Sequence, residues 1–202
     1  MTYLRRYQAF IAPALLGLAL LFYIISWVIN PSGGLTLGGF DLASWANLHP
    51  ASQTDMTIAL LLRLQLVVIT WCFATTIKRP IGTLTWWMKV IFTGLLVLAQ
   101  LPAPDFIDAN ARQQLLLSGL SAFGVLLGMF GVLYRFRAHL WILAAFIGAG
   151  TTFYAVNEAI GLMRSFGLPA YRAGGSTLLI VVYVVLAFWG VWQIAETNRA
   201  AS

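Results

Sequence analysis

Six stretches of apolar residues, each bounded by charge or by Pro and Gly, alternate with short polar connections along the chain. A helix rising 1.5 Å per residue needs about 20 mostly apolar residues to cross a hydrocarbon core of about 30 Å. The runs Ala9 to Ile29, Thr57 to Ile77, Thr83 to Leu101, Gln114 to Tyr134, Leu140 to Ile160 and Ser176 to Ile194 meet that length. The third is the weakest, because its strongly apolar part starts after Lys89. Trp86 and Trp87 read there as an interfacial pair, with Lys89 reaching back toward headgroups. The expected fold is an all-α integral membrane protein: one domain over residues 1-202, a compact bundle of six transmembrane helices.

The one long connection runs from Asn30 to Met56 and opens on Asn-Pro-Ser-Gly-Gly, a cluster that ends a helix. Within it, Asp41 is placed to cap a short helix carrying Phe40, Trp45 and Leu48, an amphipathic piece suited to a membrane interface; an irregular loop is the equal alternative. Pro102, Pro104, Pro169 and the pair Gly174-Gly175 break the other two connections on that side. No repeat relates the two halves of the chain.

The positions of the basic residues set the orientation. One side of the bundle gathers Arg5, Arg6, Lys78, Arg79, Lys89, Arg135, Arg137 and Arg199; the other holds Arg112, Arg164 and Arg172 against Asp41, Asp55, Asp105 and Asp108. Cytoplasmic loops carry the positive excess, so both termini are expected in the cytoplasm and the long loop outside, most simply in a bacterial cell membrane. Arg5 and Arg6 precede an apolar run that is long for a cleavable signal, and the segment reads as an uncleaved first helix with Pro13 in its first turns.

Composition agrees with this pattern. The 202 residues are 60% hydrophobic and 9% charged, against about a quarter charged in soluble domains. The net charge of +6 is accounted for by topology signals facing anionic lipid, so no nucleic-acid partner is expected. Cys72 is the only cysteine, and His49 and His139 are the only histidines. These numbers argue against a disulfide framework, a thiolate metal cage or a multi-histidine haem site. Asp41, His49 and Asp55 form at best an irregular ligand set in a loop, and no metal site is expected. GxSxG, HExxH and Walker patterns are absent from the sequence.

Small residues at helical spacing mark faces that let helices approach closely. Ser121, Gly124, Gly128 and Gly131 do so on the fourth span, Gly148 with Ala144, Thr151 and Ala155 on the fifth, whose small face also carries Glu158, and Ser176, Tyr183, Ala187 and Gly190 on the sixth. These three spans are expected to pack together.

Ionisable residues inside spans are costly and therefore candidates for function. Arg63 lies six residues into the second span, about 9 Å deep, and Glu158 lies near the same side of the fifth. Gln65, Gln100, Ser118, Thr151, Tyr154 and Asn157 fall at similar depth, with Tyr154 and Glu158 at i, i+4. Two readings stand. In one, Arg63 and Glu158 pair at the floor of an externally open pocket with Tyr154, Gln100 and Asn157, as in a small-solute permease. In the other, they pin helices in a non-catalytic membrane subunit of a larger protein assembly, respiratory or photosynthetic energy conversion being one setting. An enzyme is the least supported class, because paired acid and base groups are missing. The expected partners are membrane lipids and other membrane subunits or a second copy of the chain. No cofactor is evident, and a bound lipid, quinone or pigment is compatible with the sequence.

Overall fold

The computed structural model describes residues 2–31, 33–47, 53–76, 81–102 and 109–201. Leu48, His49, Ile77, Lys78, Arg79, Asp105 and Asp108 lie outside the described residues, as do the side chains of Arg5, Arg6 and Asp55. The described chain is mostly helical, in the order α1 Thr2–Ile24, β1 Val28–Asn30, β2 Leu35–Leu37, α2 Gly39–Asn47, α3 Gln53–Thr76, α4 Leu84–Leu98, α5 Ala109–Met129, a 3-10 turn Val132–Phe136, α6 Arg137–Ser165, β3 Tyr171–Arg172 and α7 Gly174–Ala201.

Each of the six apolar runs falls largely on a helix, and the long connection holds the short helix α2 rather than an irregular loop, with Asp41 inside its first turn and not at its cap. Three helical stretches are long and apolar enough to cross a membrane, Thr57–Thr76, Val132–Ser165 and Gly174–Arg199, which points to a membrane protein. Phe10–Ile24 and Leu84–Leu98 are apolar but shorter. Thr83 starts α4 by accepting a hydrogen bond from the Trp86 amide on its side chain.

Burial identifies the centre of the bundle. Of their most apolar stretches, α3 buries 67% and α7 only 28%. α3 packs against α1, α2, α4, α5 and α6, while α7 lies across α6 and α1. The larger apolar cluster joins α1, α2, α3, α6 and α7 around Tyr23, Trp27, Leu42, Leu62 and Tyr183; a smaller one gathers Leu16, Cys72, Trp141 and Leu186.

Two span boundaries are corrected. The first run was expected to be helical to Ile29, but α1 ends at Ile24 because the following amides and carbonyls find strand partners. The Trp27 amide donates to the Leu37 carbonyl at 2.7 Å, and the Trp27 carbonyl accepts from the Ala173 amide at 2.7 Å. β1 is therefore the middle of a three-stranded sheet, β2-β1-β3, antiparallel on both sides, which satisfies backbone groups across one end of the bundle. Its hairpin closes through Asn30, whose side-chain oxygen accepts from the Gly33 amide at 3.3 Å, and through Gly34 at φ +60°. The fourth run was expected to continue to Tyr134. Instead α5 stops at Met129 and Gly131, at φ +71°, turns the chain into the 3-10 segment. Pro13 also sits in the interior of α1, since that helix begins at Thr2.

The packing of the small faces differs from expectation as well. α6 and α7 do pack together, but α5 turns Gly124 and Gly128 to α3. A Cβ on Gly124 would overlap the indole of Trp71, and one on Gly128 would overlap Ala74. The large ring of Trp71 needs the missing side chain opposite it, so α3 takes the face that was assigned to α6.

Candidate functional site

Two sets of hydrogen-bonded polar side chains inside the bundle are built on α3. Arg63, Thr70 and Ala74 follow i, i+7, i+11 and lie on one face of that helix. This face meets α4 and α5. Arg63 is 3% exposed and its Nη1 donates to Oε1 of Gln113 on α5 at 3.1 Å. Further along, Gln100, just past α4, donates from Nε2 to the Leu96 carbonyl at 2.9 Å and to Thr70 Oγ1 at 3.5 Å. Its Oε1 accepts from Ser121 Oγ at 2.8 Å, and Ser118 Oγ donates to the Val97 carbonyl at 3.2 Å. At the other end of the face, Lys89 Nζ donates to the Ala74 carbonyl at 3.1 Å and the Gly128 carbonyl at 3.3 Å. A polar seam thus runs along the α3/α4/α5 interface with a cation at each end.

The second set joins α3, α6 and α7. Gln65 Nε2 donates to Thr151 Oγ1 at 2.6 Å and Tyr183 Oη donates to Gln65 Oε1 at 2.9 Å. The Thr151 hydroxyl lies 2.6 Å from the Ile147 carbonyl, to which it can donate while accepting from Gln65. Gly148 makes room for the Tyr183 ring, which a Cβ at that position would overlap.

The sequence candidates separate accordingly. Arg63 and Gln100 line one small cavity of about 10 Å³ together with Phe40, Leu66, Gln114 and Leu117, room for about one water. Glu158 is half-buried on α6, whereas Tyr154 is 50% exposed and Asn157 is exposed, with its Oδ1 accepting from Arg172 Nη2 at 3.0 Å. The described hydrogen bond of Arg63 therefore goes to Gln113, and Arg63 shares a cavity with Gln100 rather than with the α6 group. Gln113 and Gln114 were missed because, following Arg112, they fall at the very edge of the fourth run, which opens on Gln114. Thr70, two turns from Arg63, carried the signal that was available.

This arrangement gives tight helix association. The hydroxyls of Thr70, Thr75, Thr76, Thr93 and Ser118 donate to backbone carbonyls, which uses the proton that a nucleophile would surrender to a base. The described residues hold no group of three or more His, Cys, Asp or Glu able to hold a metal ion.

The larger spaces are apolar. One cleft of about 230 Å³ opens between α5 and α6 over α3, lined by Val68, Trp71, Leu120, Leu140, Ala144 and Ile147 among others. Another of about 380 Å³ lies between α6 and α7, along Ala145, Phe146, Ala149, Tyr183, Val184 and Phe188. α6 thus has an apolar cleft on each flank. Comparison with known proteins finds no matching family model, no matching curated protein and no matching solved structure.

Proposed function

We propose that this chain is a non-catalytic integral subunit of a membrane protein assembly, with six spans, both termini in the cytoplasm and the sheet end outside. A cell membrane carrying respiratory or photosynthetic energy conversion is a fitting setting. The observation that carries the reading is the division of labour among side chains. The buried side chains of Arg63, Gln65 and Tyr183 are used in bonds between α3 and its neighbours, while two clefts that flank α6 are apolar. A surface of that kind suits apolar partners, whether lipid tails, a hydrophobic cofactor or the helices of another subunit.

The test is purification from the native membrane in mild detergent, with mass spectrometry of co-purifying chains and an absorption spectrum of the same fraction. Co-migration with other membrane polypeptides is expected. A single monodisperse species without partners overturns the proposal.

The small-solute permease is a second reading, supported by the cavity that Arg63 and Gln100 share. Its space for about one water makes it the weaker of the two. It requires solute uptake by proteoliposomes that Arg63→Ala abolishes while the protein remains folded.

A further inference from the structure

The cleft between α5 and α6 is lined by apolar residues, and two arginines precede its α6 wall in the chain. Its α6 wall carries Leu140, Leu143, Ala144 and Ile147, so the apolar lining runs about 10 Å along the helix axis. Arg137, Leu140 and Ala144 follow i, i+3, i+7, which places Arg137 one turn below the lining on the same face. The floor is α3, through Leu64, Val67, Val68, Trp71 and Cys72.

The guanidinium of Arg137 is held beside the first turn of α6 by its surroundings. It lies over the Tyr134 ring at 4.4 Å and near the Trp141 ring at 5.9 Å, and its Nη1 donates to the Tyr134 hydroxyl. The tyrosine bond uses one of five N–H donors in the planar fork, a geometry suited to a phosphate. Arg135 is exposed in the same 3-10 turn that joins α5 to α6. An apolar slot for a chain, with two arginines in the turn that leads into its α6 wall, is complementary to a molecule with one anionic end and one long apolar end.

We propose that this cleft is a binding site for an anionic phospholipid, with an acyl chain along α6 over α3 and its phosphate on Arg137 and Arg135. Charge complementarity selects the occupant: a helix of another subunit would fill the slot without using the arginines, and a zwitterionic lipid would gain less from them. The proposal rests on the membrane placement given above, and not on the presence of partner chains.

The experiment uses the purified full-length protein, stripped of lipid in detergent and titrated with phosphatidylglycerol or phosphatidylcholine of identical acyl chains. Bound lipid is counted by native mass spectrometry. Phosphatidylglycerol is expected to bind about tenfold more tightly or better. The double variant Arg135→Gln/Arg137→Gln is expected to lower it to the phosphatidylcholine level, whereas Arg199→Gln, away from the cleft, leaves the preference intact. Ala144→Phe fills the slot and is expected to reduce retention of both lipids. If that variant does not fold, Leu143→Trp on the exposed cleft wall replaces it.

Equal affinity for the two lipids overturns the proposal, and so does a preference that survives the double arginine change. Retention unchanged in a folded slot-filling variant overturns it as well. Carbonate washing of native membranes distinguishes the two failures. A protein released by carbonate defeats the membrane placement itself, while an embedded protein without lipid preference defeats only the lipid site.

Discussion

The hydroxyl of Tyr183 on α7 donates to the side-chain oxygen of Gln65 on α3 at 2.9 Å, joining two helices 118 positions apart in the chain. Both residues are completely buried, and Thr151 on α6 completes the set. Tyr183→Phe keeps the ring against Gly148 and removes only the donor. Interhelical hydrogen bonds in bilayers average about 0.6 kcal/mol and reach about 1.7. A loss of about 1 kcal/mol is expected in reversible unfolding in mixed micelles. In a double-mutant cycle with Gln65→Leu, the two losses should fall short of additive, as they must if the side chains bond to each other.

Gly124 and Gly119 test whether the glycines of α5 serve packing within the chain. A Cβ at Gly124 would overlap the Trp71 indole, whose Nε1 donates to the Leu120 carbonyl at 2.9 Å, whereas nothing lies within 4 Å of a Cβ at Gly119. Gly124→Leu is expected to lower stability by about 1–3 kcal/mol or more through overpacking. Gly119→Leu should stay within about 0.5 kcal/mol of the parent. Thermal denaturation in detergent compares the two. Equal effects would show that Trp71 can move out of the way.

Arg63 and Gln113 make a third test. The buried guanidinium loses a side-chain acceptor in Gln113→Leu, and bonds to charged groups contribute about 1.5–3 kcal/mol. Gln114 lines the same cavity and offers a control at the neighbouring position. Gln113→Leu should therefore unfold at lower denaturant than Gln114→Leu; a reversed order would count against the Arg63–Gln113 bond as a stabilising contact.

How far these contacts were legible beforehand depends on their physical origin. Hydropathy located the long helices, because an apolar run of helical length has few other solutions, whereas Asp41 ahead of Trp45 left α2 level with an irregular loop, and the helix starts two residues before that aspartate. The sheet was not legible. Val28–Asn30 continues the apolar run of α1, and a strand of three residues is too short to show its period. Its second partner, Tyr171–Arg172, comes from beyond five further α-helices. The polar seam was half legible. Depth selected Arg63, Gln65, Gln100, Ser118 and Thr151 as a group, but depth carries no information on which helix faces which. Glu158 and Arg63 were matched on depth and opposite charge, whereas the packing of Gly124 and Gly128 on Trp71 and Ala74 brings α5, with Gln113, to the Arg63 face of α3.

Lys89 gives the last prediction. Its Nζ reaches the carbonyls of Ala74, in the last turn of α3, and Gly128, in the last turn of α5. Carbonyls at helix ends lack intrahelical partners and carry the negative end of the helix dipole. One ammonium on α4 therefore serves the termini of two other helices. A cation at one terminus is worth about 0.3–1 kcal/mol, and about 2 kcal/mol in a partly buried geometry. Lys89→Met preserves the stem and removes the charge, so a loss of about 1–2 kcal/mol is expected. Hydrogen exchange locates the loss: amides near the ends of α3 and α5 should lose protection, while those of α7 should not. Uniform loss along the whole of α4 would mean that the stem, and not the ammonium, makes the contribution.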